Sequence, residues 1–271
     1  MSIGTNIRSL REERGFTQEQ VADSLGVTFQ AVSSWERDEY KPDIDKIIKL
    51  ADFFNISVSA LVEEKQVISK SKEATFSVEN LKTYVKTTAK NLGLTNTLKA
   101  VTFATEAHKG QMRKRSTIPY IYHPLTLARH ALSMNITDDA IIATCLLHEV
   151  VEDCNVSYDD LPVNDETKEL VRLLTCEKTT PENRSLILNE YYEKIATNAK
   201  ATLIKCIDRT NNITTMSWGL SRERIYRMIK ETEEYYPRLI EVLKEEVEYS
   251  NAAWLLKYQM ESLLDVHKRL M

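Results

Sequence analysis

Residues 146–153 read Leu-Leu-His-Glu-Val-Val-Glu-Asp, and the rest of the chain is organised around them. His148 and Glu149 are adjacent metal-ligand types, and Glu152 and Asp153 follow within four residues. Ile141, Ile142, Ala143, Leu146, Leu147, Val150 and Val151 surround them. On a helix, these four polar groups would sit on or beside a face that otherwise favours burial. An unpaired buried carboxylate costs several kcal/mol, so a buried cluster needs a compensating partner, and a divalent cation is the obvious one. A partly exposed turn carrying ordinary surface acids explains the octapeptide equally well. The flanking sequence has to choose between the two.

The chain has 271 residues, room for two domains. Six glycines and six prolines, against abundant Leu, Glu, Lys and Ala, favour an all-α protein over one with many tight turns. A formal charge of -4 excludes a globally basic nucleic-acid binder but leaves room for a local basic face. No apolar run reaches membrane-spanning length, so no membrane partner is expected, and no signal-peptide core opens the chain. Cys145, Cys154, Cys176 and Cys206 form no CxxC pair; they read as reduced thiols of a cytoplasmic protein.

Residues 1–65 read as a helical DNA-binding domain. Asn6 to Arg14 is a first helix ended by Gly15. Thr17 caps a second, with Gln20 at the capping-box position, running through Leu25. Gly26 supplies the turn, and Thr28 opens a third helix to about Arg37, with Val32 and Trp35 on its core face. The pattern FTQEQVADSLGVTFQAVSSWERDEYKP, followed by the apolar residues Ile44, Ile47, Ile48, Leu50 and Ala51, resembles the lambda-repressor/Cro (XRE) type of five-helix domain. The resemblance implies that the second helix of the motif enters the major groove of double-stranded DNA. It puts Gln18, Phe29, Gln30, Ser33 and Ser34 toward the DNA, with Arg37 and Lys41 on phosphate. A protein-binding helical module is the alternative: this stretch holds eight Lys/Arg against twelve Asp/Glu, which does not favour phosphate. One such motif reads a half-site, so a homodimer is expected.

Residues 66–92 read as a linker and a lead-in helix from Val78. Residues 93–245 then hold the chemistry. A helix from Asn96 to His108 precedes the basic loop Lys109–Arg115 and the segment PYIYHP ending at His123-Pro124. A helix from Leu125 to Met134 follows, and Asp138-Asp139 begins the one carrying Leu146–Asp153. Ala201–Ile207 delivers Asp208-Arg209, with Asn212 one helical turn on. His123, His148, Glu149 and Asp208 are the candidate metal ligands. Imidazole with carboxylate suits Mn, Fe or Zn, and the lack of thiolate argues against structural zinc.

His123, the His148-Glu149 pair with Glu152-Asp153, and Asp208-Arg209 with Asn212 resemble the HD superfamily of metal-dependent phosphohydrolases. More narrowly, they are similar to the (p)ppGpp-hydrolase domain of RelA/SpoT homologues. The resemblance implies an all-helical hydrolase domain, a divalent cofactor (Mn²⁺ above others) and a guanosine alarmone, or related 3′-phosphorylated nucleotide, as substrate. It implies that Glu152 and Asp153 orient or deprotonate the attacking water, and that the 3′-diphosphate is cleaved to release pyrophosphate. Arg113, Lys114, Arg209 and Asn212 would bind the nucleotide. The chain departs from the family at one ligand: Glu149 stands where the family has aspartate. A regulator that senses a nucleotide without turnover is therefore an alternative. Residues 246–271 read as a terminal amphipathic helix for packing or dimerisation.

Overall fold

The computed structural model describes residues 2–54, 56, 58–62, 77–113 and 116–270. The chain divides into two units, Met1–Ser71 and Lys72–Met271. Much of the expected linker, residues 66–76, lies outside the described residues.

The first unit contains α1 (Ile3–Glu13), α2 (Gln18–Leu25), α3 (Phe29–Glu36), α4 (Ile44–Phe53) and α5 (Val58–Val62). α1 begins earlier than the apolar pattern predicts, because the Ser2 hydroxyl accepts from the Thr5 N–H and starts the helix there. The capping box at Thr17 forms in both directions. Gly26 takes the left-handed conformation (φ 65°) that ends α2, where a Cβ would be strained. Ile7, Val21, Leu25, Val32, Trp35, Leu50 and Phe54 close a core of their own. At its edge, Glu36 is buried and accepts from both Arg11 and Gln18.

The second unit runs through α6 (Val78–Leu92), α7 (Thr95–Ala107), α8 (Tyr122–Ser133), α9 (Asp139–Leu147) and α10 (Val150–Asp153). It continues with α11 (Asp165–Leu174), α12 (Arg184–Ala196), α13 (Ala199–Thr215), α14 (Arg222–Glu245) and α15 (Ser250–Leu270). No strand occurs among the described residues; an isolated bridge joins Met112 to Pro119. α9 is the central helix. Every residue from Ala140 to Leu147 is buried, and α7, α8, α11 and α13 pack around it. A helix apolar on all faces belongs inside a protein. Each fully buried Ile or Leu here contributes roughly 1.5–3 kcal/mol. α14 runs on through Pro237, held by the buried Tyr236, Leu239, Ile240 and Leu243 on either side of the lost backbone hydrogen bond. α15 lays Ala252, Ala253, Leu256, Met260 and Leu264 onto the same core.

Two boundaries that matter to the site differ from expectation. α8 begins at Tyr122 instead of Leu125, so His123 lies inside its first turn. Proline fits there because first-turn N–H groups have no helical partner, so Pro124 does not delay the helix. The octapeptide does not lie on one helix. α9 stops at Leu147, and α10 starts at Val150.

α7 has no side-chain cap of its own. Asp139, at the start of α9, supplies one across the core: its carboxylate accepts from the backbone N–H groups of Asn96 and Thr97, both at 2.8 Å, and from the Thr97 hydroxyl. Burial opposes the charge, but these donors hold Asp139 below its ordinary value of 3.8. A carboxylate with a depressed folded pKa stabilises above its unfolded value and loses that contribution as pH falls through the folded one. Asp139→Ala should therefore lower stability by about 1–2 kcal/mol at neutral pH. Urea unfolding should show the gap to wild type closing as pH drops below 3.8.

Candidate metal centre

Four side chains from three helices meet at the C-terminal end of α9. His123 comes from the first turn of α8, His148 and Glu149 from the break between α9 and α10, and Asp208 from the middle of α13. The ligand atoms of His123, His148 and Glu149 all lie within 4.8 Å of one another. His123 Nε2 is 3.6 Å from Glu149 Oε2 and 3.2 Å from Asp208 Oδ1. His148 Nε2 is 3.7 Å and 3.9 Å from the same two atoms.

The break makes this convergence possible. Neighbours on an unbroken helix point about 100° apart. Glu149 has φ -106° and ψ -4°, at the edge of the helical region, and turns its carboxylate back beside His148.

The tautomers are fixed from behind. His123 Nδ1 lies 2.7 Å from Asn211 Oδ1, and His148 Nδ1 lies 3.1 Å from the Cys145 carbonyl. Both partners accept only, so each Nδ1 carries the proton and each Nε2 presents a lone pair. Both Nε2 atoms are buried with no hydrogen-bond partner. Two orphaned imidazole nitrogens facing two carboxylates are the donor set that a divalent cation completes, with the outer hydrogen bonds that orient such ligands.

The electrostatics agree. Burial, the largest influence on His148, draws its pKa below the ordinary value, which keeps it neutral. Burial acts the same way on His123, but Glu149 and Asp208 outweigh it and raise that imidazole; a proton and a cation compete for the same lone pair. Burial would push Glu149 up, yet His123 and His148 hold it below the usual carboxylate range. Asp208 is also buried and is held well below by Lys205, whose ammonium sits 3.1 Å from Oδ2, and by the two histidines.

An open cleft of about 190 Å³ leads to the cluster. Arg113, Tyr120, Asn212 and Thr215 form its polar side, and Leu220 and Met228 its apolar side. Arg113 donates through Nη2 to the Thr215 hydroxyl (3.1 Å), while its Nη1 is buried without a partner. Asn212 donates to Asp208 Oδ1 at 2.7 Å. Lys114 lies outside the described residues.

Glu152 and Asp153 stand one turn past the ligands, exposed, and neither lines the cleft. Glu152 accepts from the Cys176 N–H at 2.9 Å, and although the residue as a whole is exposed, desolvation around its carboxyl raises its pKa above the ordinary value. Arg209 is not placed as a nucleotide contact. It is buried, donates to Tyr192 (2.9 Å) and Glu231, and lies over the Tyr236 ring, away from the residues of the cleft. The reason is its place on α13: one residue after Asp208, it points to another side of the helix.

Tyr120 and Lys205 belong to the site although the sequence reading assigned them no role. Tyr120 lies in the quoted PYIYHP segment. Lys205 interrupts an apolar run one turn before Asp208, a charge on a buried face that had no stated partner.

In the first unit, Phe29 and Gln30 are exposed at the start of α3, and Arg37 and Lys41 are exposed beyond its end. Ser33 and Ser34 are half-buried; Ser34 bonds to the Ala31 carbonyl, and Ser33 accepts from Arg37. Gln18 is engaged by Glu36.

Comparison with known proteins adds the family. An HD domain matches residues 100–240, and a helix-turn-helix matches residues 7–61. The chain belongs to the HD-domain family, with a helix-turn-helix unit ahead of that domain. It is 33% identical over 157 residues to MESH1 of Xenopus tropicalis, a guanosine-3′,5′-bis(diphosphate) 3′-pyrophosphohydrolase; the match covers 54% of this chain and 82% of that protein. Longer bacterial relatives match over about a fifth of their own length. The first unit is similar to the transcriptional regulator ImmR of Bacillus subtilis, 32% identical over 26% of this chain and 56% of that one. A solved metazoan SpoT orthologue described as hydrolysing ppGpp shares the fold, with a TM-score of 0.51 at 22% identity over 64% of this chain and 96% of that one.

The placement of Arg209 is testable. Its partner Glu231 is largely buried, so Glu231→Ala leaves a guanidinium without its counter-ion. A loss of about 3–5 kcal/mol is expected in denaturant unfolding. A stability change below about 1 kcal/mol would mean the pair is solvated and Arg209 free for other work.

Proposed function

We propose that the second unit hydrolyses the 3′-diphosphate of a guanosine alarmone with a divalent ion, Mn²⁺ above others, held by His123, His148, Glu149 and Asp208. The observation that carries this reading is the pair of buried, unpartnered imidazole nitrogens facing two carboxylates, with His123 and Glu149 of that cluster lining the cleft. The family's relatives that act on guanosine-3′,5′-bis(diphosphate) supply the substrate class. Glu149 differs from the family's aspartate, but its carboxylate reaches the cluster, which supports turnover over mere sensing.

A divalent ion there supplies Lewis acidity and a water competent to attack phosphorus near neutral pH. The chain's own groups do the rest. Arg113, with Nη1 free and the other arm fixed by Thr215, takes a phosphate oxygen. Asn212 holds Asp208 and faces the nucleotide. Glu152, whose charged form desolvation disfavours, and Asp153, one turn past the ligands, are the groups that accept and return protons. Lys205 holds Asp208 ionised.

The first unit binds double-stranded DNA through α3, and the chain works as a homodimer to read two half-sites. No helix among the described residues is long and apolar enough to cross a membrane. A DNA partner and a nucleotide substrate place its work in the cytoplasm.

Incubation with ppGpp and Mn²⁺ should release pyrophosphate. His148→Ala should cut the rate about 100-fold or more. Tight nucleotide binding with no pyrophosphate from the wild type would make the second unit a sensor.

Gln30→Ala should weaken specific DNA binding, read by electrophoretic mobility shift, about 5- to 100-fold. Hydrolysis should be unchanged. Undiminished DNA binding would remove α3 from the interface.

A further inference from the structure

The longer side chain at position 149 raises a physical question. A glutamate has one more torsion to fix than an aspartate, and ordering it costs free energy. Something has to choose the orientation in which Oε2 lies between His123 and His148.

We propose that Tyr120 is the positioning residue that fixes Glu149 in this metal centre. Its phenol hydroxyl donates to Glu149 Oε2 at 2.6 Å, a charge-assisted bond to the oxygen that faces both histidines. This inference rests on the metal site proposed above.

Tyr120 suits the task because it is itself immobilised. Its ring packs on His108, with centroids 4.9 Å apart and planes 34° apart. His108 is buried; its Nδ1 lies 2.8 Å from Gln111 Oε1 and 3.3 Å from the Cys154 thiol. Gln111 donates to the Asp153 carbonyl and accepts the Tyr120 N–H at 2.9 Å. The loop between α7 and α8 is thereby tied to the end of α10. The hydroxyl is presented from a frame fixed to the chain just past the Glu149 break. A tyrosine there is a fixed post, where a water would have to be immobilised afresh.

The hydroxyl sits at the distance a glutamate reaches. A carboxylate one methylene shorter, on the same backbone, withdraws from it. Tyr120 and Glu149 therefore act as a pair, and replacing one cancels the value of the other.

The test measures Mn²⁺ affinity by isothermal titration calorimetry on the full chain. The proteins are wild type, Tyr120→Phe, Glu149→Asp and the double variant. Circular dichroism of each metal-free protein confirms the fold; Tyr120→Phe removes one oxygen and keeps the ring on His108. Tyr120→Phe is expected to raise the Kd about 10-fold or more, the usual cost of losing an outer-sphere partner of a metal ligand. In the Glu149→Asp background the same change is expected to alter Kd by less than about 2-fold. A purely structural tyrosine would weaken both backgrounds alike, and that result overturns the assignment. So does an unchanged Kd for Tyr120→Phe. If wild type itself binds no Mn²⁺, the metal centre fails and this inference with it. If wild type binds and Tyr120→Phe binds as tightly, only the role of Tyr120 fails.

Discussion

Adjacent residues on an α-helix diverge, so a ligand pair formed by neighbours in sequence requires the helix to end between or at them. Here α9 ends at Leu147, and the bend at His148-Glu149 turns both side chains to the same point. The rest of the second unit supports that bend. The apolar length of α9 anchors it within four packed helices. α8 supplies His123 from its first turn and α13 supplies Asp208 from its middle, so the cluster stands on rigid elements.

Collecting two imidazoles and two carboxylates inside an apolar core carries a desolvation cost of several kcal/mol per charge. The chain offsets it in layers. Lys205 and Asn212 hold Asp208, Tyr120 holds Glu149, Asn211 holds His123, and the Cys145 carbonyl holds His148. These bonds satisfy every ligand except at the two Nε2 atoms that face inward. The site is a polar knot with its lone pairs kept free, with His123 and Glu149 lining a cleft whose Arg113 has a spare donor.

Much of this is legible in the sequence. The helix-turn-helix shows itself through turn chemistry, because Thr17, Gln20, Gly26 and Thr28 each do a local backbone job that no distant contact alters. His123, His148, Glu149 and Asp208 are legible as a set, since their residue types and order resemble a known branch. Other features depend on three-dimensional context. A proline reads as a helix breaker, so the early start of α8 was hidden; a run of apolar residues reads as continuous helix, so the break at 148–149 was hidden. Arg209 carries the same chemistry as a phosphate-binding arginine, and only the side of α13 on which it falls assigns it to Glu231 and Tyr192. Tyr120 is one aromatic among many until its hydroxyl is seen against Glu149.

We propose that the bend at His148-Glu149 builds a single metal centre with His123 and Asp208. Crystals grown with Mn²⁺ and measured for anomalous scattering at the manganese edge test it directly. One anomalous peak per chain, bonded to His123 Nε2, His148 Nε2, Glu149 and Asp208, is the predicted result. A peak elsewhere with this cluster unfilled, or a site in which Glu149 turns away from the ion, would contradict it.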